Sequence, residues 1–183
     1  MKKIITLIPL LLIALTLTAF GCQKFGGGAP KVNVPDGWTT YQNTEYNFAM
    51  SYPDNIEFNQ RSTDQLDSTY VGMPAKFFLS IRDIKREEKA TTLALFYSFS
   101  DMSVEKFSEA LVASDPGSIT IKETTDVTQG GFAMKKIIST TAMGTDKTHY
   151  LFESGDNLIV ISIVLAEEEA FRPMFETIVS NLE

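Results

Sequence analysis

Between residues 46 and 52 the chain alternates Tyr46, Phe48, Met50 and Tyr52 with Asn47, Ala49 and Ser51. A period of two is the pattern of a half-buried strand. Pro53, Asp54 and Asn55 close it with turn chemistry, and Ile56 with Phe58 begins a second short strand. Residues 59–68 are polar and read as a loop or a weak helix. Residues 76–84 alternate Phe77, Leu79 and Ile81 with mostly polar partners, which predicts another strand followed by a charged, solvated loop over 85–89. Residues 91–99 are apolar on both alternating sets: Leu93, Leu95, Tyr97 and Phe99 against Ala94 and Phe96. A strand apolar on both faces belongs in the middle of a sheet.

The period then changes. Val104, Phe107 and Leu111 recur at helical spacing behind Asp101 or Ser103 as cap, and Asp115, Pro116 and Gly117 stop the helix. Strands follow at 119–123 and 134–141, with Gln129, Gly130 and Gly131 in the turn region between them. Residues 148–153 and 157–165 form the clearest hairpin, turning around Gly155 and Asp156. Its second strand, with Leu158, Ile159, Val160, Ile161, Ile163, Val164 and Leu165, is almost continuously apolar and so is covered on both faces. A closing helix is expected from about 167 to 182. Glu167, Glu168 and Glu169 sit at its positive end, and Phe171, Met174, Phe175, Ile178 and Leu182 form one stripe. Pro173 is awkward there unless it falls in the first turns. Two amphipathic helices and two doubly buried strands imply an α+β fold, a largely antiparallel sheet with helices on both faces.

Ahead of these elements lies a different composition. Lys2 and Lys3 precede an apolar run over residues 4–20, followed by Gly21 and Cys22, the only cysteine in the sequence. Pro9 and three threonines make that run a poor membrane span, whereas a charged start, an apolar middle and small residues near a cleavage point fit a secretory signal. Ala19 and Gly21, three and one before the cysteine, resemble a bacterial lipobox, with Phe20 bulkier than usual between them. The expectation is a signal peptide at 1–21, lipidation on Cys22, a lipidated flexible tether at 22–35 rich in glycine and proline, and a folded domain at 36–183. Lipid on Cys22 implies an extracytoplasmic protein anchored to the cytoplasmic or outer membrane.

Of 183 residues, 162 remain after position 21, the size of one domain. That remainder carries 14 Lys and Arg against 23 Asp and Glu, a formal charge of −9. Such a balance argues against binding nucleic acid or anionic headgroups by charge. With its one cysteine committed to lipid, the domain has no disulfide, so stability rests on a packed core to which 18 aromatic residues contribute.

The segment Tyr41-Gln42-Asn43-Thr44-Glu45-Tyr46-Asn47-Phe48, followed by Ser51-Tyr52-Pro53, resembles the start of PsbP-like domains. The Gly130-Gly131-Phe132-Ala133 turn and the closing Phe175-Glu176-Thr177-Ile178-Val179-Ser180 are similar to later landmarks of the same family. Asn47 stands where the family usually has glycine, and the tryptophan often found after the Tyr-Pro pair is replaced by Ile56 and Phe58. The resemblance implies the Mog1/PsbP fold, a three-layer α/β/α sandwich with a central, largely antiparallel sheet. Photosynthetic members assist the oxygen-evolving complex and many bacterial relatives are lipoproteins. No metal or ligand residue carries over.

Candidate chemistry is sparse. His149 is the only histidine, so a histidine-rich zinc site is excluded and any histidine-based triad must use it. No Gly-x-Ser-x-Gly elbow or phosphate-binding glycine loop accompanies it. In its strand it faces away from Tyr150 and Phe152, and a partly exposed strand histidine is expected. Asp64 with Asp67, or Glu153 with Asp156, could contribute to a weak calcium site, although neither pair has the oxygen density of a calcium loop. Phe77, Phe78, Phe96 and Tyr97 are read as core. Three functions stand in order: a non-enzymatic tethered domain that binds a protein partner or supports assembly at the cell envelope, a small-ligand or cation-binding module, and a hydrolase using His149. No cofactor is implied.

Overall fold

The computed structural model describes residues 34–61, 67–85, 91–115 and 117–180. Cys22, the expected tether before residue 34, Asp64 and the loop over 86–89 lie outside them. The chain runs β1 (Thr39–Asn43), β2 (Phe48–Tyr52), β3 (Ile56–Gln60), β4 (Asp67–Tyr70), β5 (Met73–Asp83), β6 (Thr91–Ser100), α1 (Val104–Ala113), β7 (Thr120–Gln129), β8 (Phe132–Thr140), β9 (Asp146–Ser154), β10 (Asn157–Val164), α2 (Glu168–Phe175) and β11 (Val179–Ser180). A 3-10 turn, Leu165–Glu167, leads into α2.

Every strand pairing is antiparallel. Eight strands form one sheet in the order β3-β5-β6-β10-β9-β8-β7, with β4 also on β5, while β1, β2 and β11 form a small second sheet. The two strands predicted to be doubly buried, β6 and β10, are neighbours at the middle of the large sheet. Their alternating side chains feed two cores. Ile159 and Ile161 join Phe96, Tyr150 and Phe152 on one face, beneath Phe48 and Met50 of β2 and Phe171, Met174 and Phe175 of α2. Leu158 and Val160 join Tyr97, Phe99 and Leu151 on the other, beneath Phe107 and Leu111 of α1. Each such side chain is worth roughly 1.5–3 kcal/mol of transfer free energy. Antiparallel sheet dominates, as expected, and helices are few.

The start of α1 matches its sequence signal: Ser103 has extended backbone and its hydroxyl accepts from the Lys106 amide at 3.2 Å. Asn47 occupies the left-handed region at φ 50, which explains how asparagine serves where glycine is usual.

Two expectations are corrected. The closing helix does not run to residue 182. It ends at Phe175, two residues after Pro173 has removed a backbone donor from its second turn. The Thr177 hydroxyl then donates to the Met174 carbonyl at 2.7 Å, and Val179 and Ser180 turn into a strand against Ala49 and Phe48. Ile178 is buried as the stripe required, but from a turn rather than from a helix. Residues 67 and 68, read as loop or weak helix, begin β4, because β5 is long enough to pair with both β3 and β4.

Candidate functional site

His149 is fully buried, which overturns the expectation of partial exposure. Register fixes its direction: on β9 it lies opposite Ser162 of β10 and Ile137 of β8, on the face covered by α1. Its ring rests 5.9 Å from that of Phe107 and 6.2 Å from that of Tyr70. Nδ1 is 3.3 Å from the Tyr70 hydroxyl and Nε2 is 3.2 Å from the Ser139 hydroxyl. Tyr70 shares a further hydrogen bond of 2.7 Å with Ser162. Burial, with a smaller contribution from the Lys147 charge, lowers the imidazole pKa from 6.5 to about 3, so the ring is neutral. Burial likewise raises the Tyr70 phenol far above its usual value.

A serine 3.2 Å from a histidine superficially matches a nucleophile and its base. Here the serine is itself buried, and the second ring nitrogen faces a tyrosine hydroxyl instead of an orienting carboxylate. Both groups are buried, and the cluster satisfies polar atoms that would otherwise be unpaired in the core. Alternation gave the side of the strand correctly. It could not reveal that α1 and Tyr70 cover that side.

A second polar cluster holds α2 to the sheet. The Glu168 carboxylate accepts from Lys136 Nζ at 2.6 Å, from the Tyr150 hydroxyl at 2.7 Å and from the Thr148 hydroxyl at 2.9 Å. Burial pushes the Glu168 pKa up, but the hydrogen bonds from Lys136, Tyr150 and Thr148 outweigh it and keep the group below the usual carboxylate value. All its partners are intramolecular and structural.

The proposed calcium pairs fare unequally. Asp67 is exposed on β4, while its suggested companion Asp64 lies outside the described residues. Glu153 and Asp156 border a hollow of about 320 Å³ that also contains Asp101, Ser103 and Lys106. Among the described residues no group of three or more His, Cys, Asp or Glu side chains is arranged to hold a metal ion.

A cleft of about 680 Å³ lies between the ends of β8 and β9. Pairing between these strands begins at Lys135 opposite Leu151 and runs to Thr140 opposite Asp146. Beyond that rung, β8 continues back to Phe132 paired only with β7, and β9 continues to Ser154 paired only with β10. The sheet is therefore split at one end. Phe132, Met134, Leu151 and Phe152 line the split, with Val104 of α1, and Glu45, Asp126, Lys135 and Glu153 stand among its polar residues.

Each side of the split is held from outside. Gly130 and Gly131, both at positive φ, make the β7–β8 turn, and the Gly130 carbonyl accepts from the Ser180 amide at 2.9 Å. Gln129 Nε2 donates to the Glu176 carbonyl at 2.9 Å. Across the gap, the Ser154 hydroxyl donates to the Tyr46 carbonyl at 2.8 Å. Thus one hairpin tip is tied to the segment ending in β11 and the other to the turn before β2. The Gly130-Gly131 turn was legible in the sequence, but the cleft was not, since nothing local says where two strands stop pairing.

Among the described residues, no helix is long and apolar enough to cross a membrane. No protein-family model matches the chain. No curated protein sequence matches it either. Its fold is similar to the solution structure of cyanobacterial PsbP (CyanoP) from Synechocystis, with a TM-score of 0.52 at 8% identity, covering 84% of this chain and 98% of that one. A protein of unknown function from Pseudomonas aeruginosa aligns over 74% of this chain and 89% of its own, at 13% identity and a TM-score of 0.30, too low to carry an argument. The fold is PsbP-like, as the Tyr41–Pro53 resemblance implied.

Proposed function

We propose, from the PsbP-like fold and the lipobox-like segment together, that this is a membrane-tethered extracytoplasmic lipoprotein domain. In this reading it binds a protein partner or supports assembly at the cell envelope and performs no chemistry of its own. The observation that carries it is the order Lys2, Lys3, apolar run, Gly21, Cys22, followed by a glycine-rich stretch, which is the layout of a lipoprotein signal and supports lipid on Cys22. One acyl chain holds a protein only marginally, whereas the two or three expected at such a cysteine anchor it stably. The folded part supports the reading from two sides: the one candidate catalytic base is sealed in the core, and an open cleft lies at one end of the sheet. We take α1 and α2 as the outer layers of the α/β/α sandwich, with the cleft at its end.

Photo-crosslinking in intact cells from exposed positions such as Glu45 and Glu153, followed by mass spectrometry, tests this. A reproducible envelope protein captured at those sites is expected. Capture of nothing above background would remove the partner-binding reading. The cleft also favours a second reading, a small-ligand module, since roughly 300–1,000 Å³ is the usual size of a ligand site. A small-molecule panel that left Tm unchanged would count against that one.

A further inference from the structure

We propose that the split between β8 and β9 is a slot for one extended peptide segment, which binds by adding a short strand and carries basic residues beside apolar ones. This rests on the partner-binding reading above and specifies how the partner is held. Hydrogen-bond parity points to it. In the two-residue turn at Gly130-Gly131, Gln129 and Phe132 are the hydrogen-bonded pair, so the next pair, Thr128 and Ala133, is not. The amide and carbonyl of Ala133 must therefore point away from β7, into the split. The same reasoning at Gly155-Asp156 makes Ser154 and Asn157 the bonded pair and turns the amide and carbonyl of Glu153 toward β8. Both results agree with the last rung of the zipped part, two residues further along each strand at Lys135 and Leu151. Ala133 and Glu153 would be the next rung, yet they do not pair. Each strand thus offers one donor and one acceptor across an open gap.

A chain laid in the gap bonds to both edges at once and sends successive side chains to opposite faces. On one face they meet Phe132, Met134 and Phe152, and on the other Val104 and Leu151. Charge selects among such chains. Lys135 pairs with Asp126, which leaves Glu45 and Glu153 on the rim in no ion pair among the described residues. An acidic peptide is repelled, and Lys or Arg flanking apolar residues is drawn in.

The test uses the full chain in mild detergent and a fluorescein-labelled peptide, Lys-Thr-Val-Lys-Val-Thr-Lys, read by anisotropy. Two relatives of the peptide serve as controls: one N-methylated at alternate residues, the other with Glu for each Lys. The Lys peptide is expected to bind, and N-methylation to weaken it about tenfold by removing edge hydrogen bonds. The Glu peptide should be weaker still. Ala133→Pro deletes an amide that no ladder uses and should lower affinity by a similar factor with little change in Tm. Equal binding of the methylated peptide, or no binding of the Lys peptide at millimolar concentration, overturns the slot. Because the methylated control uses the unaltered protein, misfolding of Ala133→Pro leaves the proposal testable. A partner captured in cells alongside a failed peptide assay refutes the slot alone, whereas absence of any partner refutes the function.

Discussion

His149 gives the sharpest physical prediction. Its imidazole has a pKa of about 3 in the folded protein against 6.5 when unfolded, because burial under α1 and Tyr70 disfavours the charged form. The unfolded chain therefore takes up a proton that the native one refuses. Stability from this group is complete well above pH 6.5, falls as pH drops below it, and stops falling near pH 3, where the native ring also charges. At pH 5, which is 1.5 pH units below the unfolded value, the loss is about 2 kcal/mol at roughly 1.36 kcal/mol per unit. Among the described residues, the titratable group hydrogen-bonded to the ring from another element is Tyr70, whose phenol burial pushes far above its usual value, so it is neutral throughout this range. Urea unfolding at pH 8 and pH 5 should be compared for the native sequence and His149→Gln. The substitution lowers stability at both pH values, but only the change with pH matters. The native protein should lose about 2 kcal/mol more than the variant. Glu168 and Asp146, with lowered pKa values, also weaken the fold in acid, yet both proteins carry them. Parallel losses, within about 0.5 kcal/mol, would refute the claim that the ring is buried and neutral. A ring carbon shift in NMR that titrates near pH 6.5 would refute it equally.

Other outcomes follow from particular contacts. A side-chain carbon at Gly130 would lie 1.7 Å from the Ile178 carbonyl oxygen at a φ of 57, so Gly130→Ala should cost about 2 kcal/mol or more, seen as a lower Tm, and release the pairing of Ser180. Glu168→Ala leaves Lys136, Tyr150 and Thr148 without their acceptor and should destabilise by about 2–4 kcal/mol in chemical denaturation, while Tyr150→Phe should cost about 1 kcal/mol. Cys22→Ala should move the protein from the membrane to the soluble fraction of cells, and an unchanged distribution would remove the lipid anchor.

The sequence was most informative where a pattern had only one structural meaning. Doubly apolar stretches became β6 and β10, a serine before helical spacing became the start of α1, and glycines between alternating runs became hairpins. It misled where one pattern fits two structures. The stripe through Phe171, Met174, Phe175 and Ile178 is buried in full, yet a stripe records only which residues turn inward, and a helix end followed by a turn and a two-residue strand satisfies it as well. His149 shows the other limit. Strand parity chose its face, but its exposure depended on α1, 36 or more residues earlier, and on Tyr70 on a strand too short to announce itself.

The open end of the sheet carries that limit into function. Unpaired strand edges ordinarily invite copies of the same chain to stack on them. The outer edge, β7, is long and mostly exposed, but it presents Lys122, Glu123 and Asp126, charges that discourage a second edge. Inside the split the edges are one residue deep on each side and bordered by Glu45 and Glu153, so another copy of this acidic chain is a poor match. The ties from Ser180 to Gly130 and from Ser154 to Tyr46 hold the two hairpin tips to different parts of the small sheet's surroundings. An incoming strand would then find its gap already shaped, and little ordering cost would be charged against the few hydrogen bonds it makes. A shallow, acidic slot is suited to reversible capture of a basic segment, because a few hydrogen bonds and rim charges hold it without burying a large surface.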